Sequence, residues 1–537
     1  LNISTSTRRW LGLIAIALGV ALIVVDTTIV NVIVPSIIAD LNVSSVQAQW
    51  IQESYAIILA ALLLLVGRIA DIVGARRIFL TGVVVFGASS LLAGLASTGE
   101  LLIVARFVQG AGAAMILPTS LSLLNASFTG KARGQAFAVW GSTIGAAAAL
   151  GPLLGGWLSE HVSWRWAFGI NIPLACLIFV ASLVFLDRSP KVAGRVDVFG
   201  ALLSIVGLGF LAFGLIEGRR YGWLTVQEPL TVFGFTWAGG PSPVAVTLVL
   251  AVAALVGFAV RQTVLARGSD PGRALMDVRL FSIGSFRNGN IATLIIGVGE
   301  FGIVAVLPLW MQFTLGYSAV QAGLALVPIA IGSFVASGAS FGLAAKASPL
   351  DLVRLGLLLE AVGLAGLAYV AAVDAPWWHL AGMLFCYGIG VGFATAQVTN
   401  VVLGDIPERS SGQASGIQSA FRQLGSALGI AVLTTTFFSA LSSRLNATLA
   451  EAGVPPQQVD GFAHAVTNSA GAAIRGLGAQ PQTQWVADAA RDAMTHSVSM
   501  VGYIAAGVIV LGLIATAFIR GETVAPDVTH AAAPEPV

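Results

Sequence analysis

Gly67-Arg68-Ile69-Ala70-Asp71-Ile72-Val73-Gly74-Ala75-Arg76-Arg77 is a short, charged, glycine-bracketed link between two apolar runs, residues 46–66 and 78–97. Each run has the roughly 20 residues that a helix needs to cross a bilayer core. Two spans joined this closely must be antiparallel neighbours, with the link in water. Its three arginines put it on the cytoplasmic side by the positive-inside rule.

The rest of the chain extends this pattern. Hydrophobic residues make up 57% and charged residues only 10%, whereas a soluble domain carries about 25% charged residues. Apolar runs recur along most of the length, so the chain reads as an all-α polytopic membrane protein and not as a soluble enzyme. A net charge of +2 gives no argument for a nucleic-acid partner. Cys176 and Cys386 both fall inside apolar runs, and no disulfide is expected between them. The apolar stretch after Arg8 and Arg9 runs on to Pro35 and contains Asp26. It is too long for the core of a signal peptide, about 7–15 residues, and is expected to stay as the first span.

Fourteen spans are expected, near 11–35, 48–66, 79–97, 101–126, 135–158, 167–186, 198–216, 243–264, 288–312, 318–341, 352–372, 376–402, 415–438 and 497–519. Of the 27 lysines and arginines, six (Arg165, Arg219, Arg220, Arg444, Arg475 and Arg491) then lie on the side opposite the N-terminus. Arg106 and Arg422 lie within spans, which leaves nineteen on the N-terminal side. That excess predicts both termini in the cytoplasm.

The two ends of the sequence echo each other. Gly67-Arg68-Ile69-Ala70-Asp71 is answered by Gly342-Leu343-Ala344-Ala345-Lys346, Gly110-Ala111-Gly112 by Gly390-Val391-Gly392, and Gly134-Gln135-Ala136 by Gly412-Gln413-Ala414. The offsets are 275, 280 and 278. Six spans in each half leave 198–216 and 243–264 as an inserted hairpin. The expected division is therefore 1–190 for the N-terminal bundle, 191–287 for the hairpin and linker, 288–520 for the C-terminal bundle with an external segment 439–496, and 521–537 for a cytoplasmic tail.

Several polar residues sit inside spans, where an ionisable group costs about 2.5–3.5 kcal/mol on insertion scales and must face a partner or a wet cavity. Asp26 lies in Val25-Asp26-Thr27-Thr28-Ile29, and Glu53 in Trp50-Ile51-Gln52-Glu53-Ser54-Tyr55. The two are expected at similar depth on adjacent helices, where two carboxylates cannot both ionise cheaply. Arg106, in Arg106-Phe107-Val108-Gln109-Gly110, is expected near the depth of Asp26. Glu300 is expected near the midplane of the ninth span, as a candidate for binding a cationic substrate or carrying a second proton. Glu360 reads as structural or interfacial. Asp26, Glu300 and Glu360 each also have a structural reading, and the alternative for Glu53 is that it snorkels to outer water.

The link 67–77 resembles the signature loop of the major facilitator superfamily of transporters. The Asp26 segment and Gly416-Ile417-Gln418-Ser419-Ala420-Phe421-Arg422-Gln423 resemble motifs of its fourteen-span drug:proton antiporters, the EmrB/QacA subfamily. Gly145 with Gly151-Pro152-Leu153-Leu154-Gly155-Gly156 resembles the antiporter motif of the superfamily's exporters. The resemblance implies two six-helix bundles plus two inserted helices, with a substrate site between the bundles. It implies proton coupling through Asp26 and Arg106; nearness to Asp26 adds Glu53 as a proton-coupling candidate, and Asp26 and Glu300 are the candidates for substrate contact. It further implies a conformational latch at Gly67, Asp71, Gly74, Arg76 and Arg77, with Asp71 against the positive end of a helix of the other bundle and Arg76 and Arg77 binding acidic groups there. Ala75 stands where the family commonly has a basic residue, so the latch is expected to be weaker or differently wired. Arg422 is expected to pair with an acid of the C-terminal bundle or to steady its helix.

The function implied is proton-coupled efflux of amphipathic, cationic or multiple small molecules across a bacterial plasma membrane. A dedicated exporter of one metabolite or self-made antibiotic is the alternative, and a non-transporting receptor is the alternative of another class. No nucleophile–base set and no metal-ligand cluster is visible, so no enzyme activity, cofactor or metal is expected. Gly110-Ala111-Gly112 lies inside a span and not after a strand, which removes a dinucleotide reading. The expected partners are a small molecule, protons and lipid, with no nucleic acid, and the chain is expected to work as a monomer.

Overall fold

A computed structural model describes residues 4–43, 45–232, 235–268, 273–343 and 347–519. The helices are α1 (Thr5–Leu41), α2 (Ser45–Val73), α3 (Ala75–Gly94), α4 (Gly99–Ser127), α5 (Gly130–His161), α6 (Arg165–Gly169), α7 (Asn171–Phe185), α8 (Val198–Tyr221), α9 (Pro243–Arg267), α10 (Gly284–Phe313), α11 (Ala319–Ala325), α12 (Val327–Leu343), α13 (Pro349–Val370), α14 (Trp377–Gly404), α15 (Ser411–Glu451), α16 (Pro456–Asn468), α17 (Ala473–Gly478) and α18 (Gln484–Ala515). Fourteen spans among the described residues are long and apolar enough to cross a membrane. The sixth is split into α6 and α7, and the tenth into α11 and α12.

Local chemistry sets the starts of these helices. Thr98 caps α4 by accepting from the Leu101 amide at 3.3 Å, with Glu100 in the first turn. Ser242 and Ser348 cap α9 and α13, each followed directly by proline, whose fixed φ and missing N–H suit the first helical position. The end of the molecule where α1 begins is called here the near end, and the opposite end the far end.

Helices α1–α7 form one six-helix bundle and α10–α15 with α18 the other. The α8–α9 hairpin packs on α2 and reaches α15. At the far end it carries a two-stranded ribbon, β1 (Leu230–Val232) and β2 (Phe235–Trp237), with Leu230 opposite Trp237. At the near end Arg261 of α9 grips Asp197, just before α8, with contacts of 2.6–3.0 Å. Burial alone would raise the Asp197 carboxyl, but these charged hydrogen bonds outweigh it and hold the group below its usual range.

Glycines bring the helices close, and they reveal the true register of the repeat. A Cβ at Gly110 would lie 2.6 Å from the Tyr55 carbonyl of α2, and one at Gly112 would lie 2.8 Å from the Phe86 nitrogen of α3. In the second bundle the matching neighbours are Gly388 against the Ile329 carbonyl of α12 and Gly390 against the Glu360 nitrogen of α13. By packing partner, Gly112 answers Gly390 and Gly110 answers Gly388, an offset of 278. The sequence match of Gly110 to Gly390 is therefore out by two residues, while Gly134 and Gly412, also 278 apart, lie near the starts of α5 and α15 in register. Of the first match, residues 344–346 lie outside the described residues, as do Arg520 and the tail 521–537.

Two expected boundaries change. The thirteenth span continues as α15 to Glu451, and the last begins as α18 at Gln484, well before residue 497. Residues 439–496 are thus mostly helix, because their alanines favour helix even where polar neighbours end the membrane-compatible stretch. Leu441, Leu445 and Leu449 stay fully buried along this extension.

Candidate functional site

Asp26 of α1 is wholly buried and surrounded by donors. Arg106 Nη1 of α4 donates to its Oδ2 at 2.5 Å. Its Oδ1 accepts from Gln109 Nε2 at 2.7 Å and from Asn171 Nδ2 of α7 at 2.9 Å. Arg106 is itself fixed by Ile51 O of α2 at 3.0 Å and Gln109 Oε1 at 2.8 Å, and stacks over the Tyr55 ring at 4.4 Å. Ser90 of α3 closes the network by accepting from Gln109 and Asn171. Five helices thus converge on one carboxylate, and every hydrogen bond to it runs from a neutral amide or a fixed cation.

Sequence reasoning singled out Asp26 and Arg106 and gave no role to Gln109, Ser90 or Asn171. Asn171 is the first residue of α7, directly after the break in the sixth span. The signal available was an asparagine at a helix start inside an otherwise apolar run.

Glu53 is not part of this network, which corrects the expected Asp26–Glu53 pair. Successive residues of a helix are turned by about 100°, so residues two apart point to nearly opposite faces. Tyr55 faces Arg106, and Glu53 therefore faces away, against Glu217 of α8. Sequence reasoning did not single out Glu217.

The second bundle holds a different group. Glu300 of α10 is buried and accepts from Thr395 Oγ1 of α14 at 3.0 Å, while the Tyr387 hydroxyl donates to the Glu300 backbone carbonyl at 3.0 Å. Glu300 therefore faces the interior of its own bundle. Arg422 of α15 lies beside both Glu300 and Glu360 of α13, over the Phe301 ring at 5.9 Å. Glu360 is completely buried, and neither of its oxygens receives a hydrogen bond.

At the near end the link 67–77 touches the second bundle through Gly67 and Asp71. A Cβ at Gly67 would lie 2.6 Å from Gly412 O. Asp71 accepts from the amides of Gly412 at 2.7 Å and Gln413 at 2.9 Å, at the start of α15. Arg68 is buried beside Asp71 and Asp277. Gly74 adopts φ +105°, in the region glycine favours, and lets the chain turn from α2 into α3. Arg76 does not reach across, contrary to expectation. Its Nη2 donates to Leu183 O at 2.7 Å and its backbone amide to Ser189 Oγ at 3.0 Å, within its own bundle. The last turn of α7 leaves free carbonyls, which attract the guanidinium from the start of α3. Arg77 is exposed and likewise makes no link to the other bundle among the described residues.

Helix α5 presents glycines on two faces. Gly151 and Gly155 press on Thr28 and Ile29 of α1, just after Asp26. Gly145 faces Ser333 of α12, and a Cβ at Gly156 would lie 2.8 Å from Val320 of α11 at the far end. The two bundles are thus in contact at both ends. The side chain of Pro152 lies outside what is described.

Comparison with known proteins places this geometry. The family model of the Major Facilitator Superfamily matches residues 16–430. The puromycin resistance protein pur8 of Streptomyces alboniger is 35% identical, over 86% of this chain and 87% of that protein. A probable actinorhodin transporter of Streptomyces coelicolor is 31% identical, over 82% and 75%. The multidrug resistance protein Stp of Mycobacterium tuberculosis is 31% identical, over 86% and 82%. Among solved structures, the proton:xylose symporter XylE matches with a TM-score of 0.60 at 14% identity, over 96% of this chain and 97% of that one, which shows the shared fold. With twelve of its fourteen spans in two glycine-packed bundles, this chain belongs to the Major Facilitator Superfamily.

Proposed function

We propose that the protein is a drug:proton antiporter, exporting amphipathic small molecules across the bacterial plasma membrane as a monomer, with the near end and both termini in the cytoplasm. The observation that carries this reading is the buried Asp26, held by Arg106, Gln109 and Asn171. An arginine and two side-chain amides meet its charge, and protonation would release those donors together. The α1 segment that follows Asp26 packs on the glycine face of α5, whose other face meets the second bundle. A change at Asp26 therefore has a short mechanical route to the interface between bundles. Protonation favours one facing state and substrate the other, and that reciprocity is the coupling.

The energetics are adequate. A membrane field supplies about 2.3 kcal/mol per charge per 100 mV. At about 1.4 kcal/mol per tenfold, one proton exchanged for a neutral drug across about 150 mV sustains a gradient of a few hundredfold. A monovalent cation exchanged one for one draws only on the pH difference.

A second reading keeps the mechanism but narrows the cargo to one antibiotic. It is favoured by the relatives, which include a puromycin resistance protein and a probable actinorhodin transporter. Substrate-driven proton movement in proteoliposomes decides between the two. Proton flux opposite to several unrelated compounds supports multidrug antiport. Flux with one compound alone supports the dedicated exporter, and flux with none in folded protein defeats both.

A further inference from the structure

The inserted hairpin stands outside the two bundles, yet it brings a buried acid of its own. Glu217, one turn from the far end of α8, is only 1% exposed. Its carboxyl lies within hydrogen-bond reach of that of Glu53 on α2. Each group has one buried oxygen with no donor directed at it, Oε1 of Glu217 and Oε2 of Glu53. Ionised carboxylates only accept hydrogen bonds, so two that meet can bond to each other only through a proton.

We propose that Glu53 and Glu217 form a carboxyl pair sharing one proton, a second proton-carrying site that makes the inserted hairpin a responsive part of the transporter.

The surroundings fit this role. From α8 itself, Arg220 is engaged with Glu228 at 2.9 Å, lies over the Tyr221 ring and is close enough for its charge to be felt by the pair. Tyr221 lies nearby, with its ring against the Arg220 guanidinium. From α4, Arg106 is turned to Asp26. The aromatic rings of Trp50, Phe213 and Tyr221 stack in series at 6.1 and 6.3 Å and shield the region. The same turn of α8 also reaches the second bundle: Arg219 lies 3.4 Å over the Phe438 ring of α15 and donates to Thr467 O of α16 at 2.9 Å. Two residues apart on one helix, Glu217 grips the first bundle and Arg219 the second. Loss of the shared proton leaves two facing carboxylates that repel, which pushes α8 from α2 and disturbs its grip across the far end. The bond balance is simple: one O–H···O link is broken, and the proton leaves to solvent or to an acceptor on the transport path.

This deepens the antiport reading but is tested without it. Infrared spectra of the full chain in lipid nanodiscs, free of substrate, are recorded across pH for the wild type, Glu53→Gln, Glu217→Gln and the double variant. The wild type is expected to show a protonated-carboxyl band that titrates. Either single substitution is expected to remove it, and the double to remove no more than a single, because one proton is shared. In proteoliposomes, either single variant shifts the pH of half-maximal antiport by about one unit, the coupling expected of such a pair. An unchanged band in both single variants overturns the proposal. If Glu217→Gln fails to fold, Glu53→Gln, which leaves α8 untouched, decides alone. Loss of the band in a protein that moves no protons with any drug upholds the pair and sinks the antiport reading.

Discussion

The two bundles share a glycine scaffold at an offset of 278 residues, but they bury charge in opposite ways. In the first, Asp26 receives three donors and Arg106 is held by three acceptors. In the second, Glu360 receives no hydrogen bond, and Arg422 stands beside two acids, only one of which accepts a hydrogen bond from a side chain. Packing has been kept through duplication because a Cβ at Gly112 or Gly390 would strike the facing backbone. Charge has not: in register with Asp26 the second half has Val304, and in register with Arg106 it has Leu384. Backbone approach is demanded of both halves by the fold, whereas a buried ion pair is stabilising only where its polar shell is complete. The burial of charge is therefore asymmetric on a symmetric frame.

The sharpest way to break this contrast is Asp26→Asn. It strands Arg106 as a buried unpaired cation, a loss of about 3–5 kcal/mol. Coupled efflux is expected to vanish, and the melting temperature to fall, in protein that still inserts. Proton-driven efflux from everted vesicles together with a thermal melt checks both, and full retention of efflux removes Asp26 from the coupling. Glu300→Gln should be intermediate. It removes one of the two acids beside Arg422 and is expected to slow efflux about three- to tenfold, worth up to about 1.4 kcal/mol, more for cations than for neutral drugs. Equal losses for both classes would argue that Glu300 serves protons or structure instead of substrate. The smallest effect is expected from Glu360→Gln. A carboxyl that receives no hydrogen bond has none to lose as an amide, so efflux should stay within about threefold, roughly 0.7 kcal/mol, with the melt unchanged or raised. A collapse like that of Asp26→Asn would show the halves to be alike in function despite their unlike hydrogen bonding.

The fold was legible because its signals are local and additive. Apolar run length and the placement of lysine and arginine yield fourteen spans without any knowledge of contacts. Asp26 and Arg106 were also legible, since a charge inside an apolar run marks itself. What was hidden depended on the angle of a helix about its axis. Glu53 and Tyr55 are two residues apart, and the sequence places them at one depth without telling which faces α4 and which faces α8. Arg76 shows the same limit, because the carbonyls that draw it belong to the end of a span more than a hundred residues later. Glu217 was passed over because it stands next to Gly218-Arg219-Arg220 and reads as part of a polar exit from the membrane.

One contact at the near end also bears on the order of a helix. Ser410 precedes α15 but its side chain makes no capping bond, and Asp71 of the other bundle supplies that role by taking the amides of Gly412 and Gln413. A 41-residue helix thus borrows its N-cap from a separate body. Caps are typically worth about 1 kcal/mol, so the contact between bundles stabilises the first turn of α15, which is expected to fray more readily if they part. On the antiport reading, part of the free energy separating the facing states is then local helix order, a quantity set by Asp71 and adjustable without touching Asp26 or Glu300.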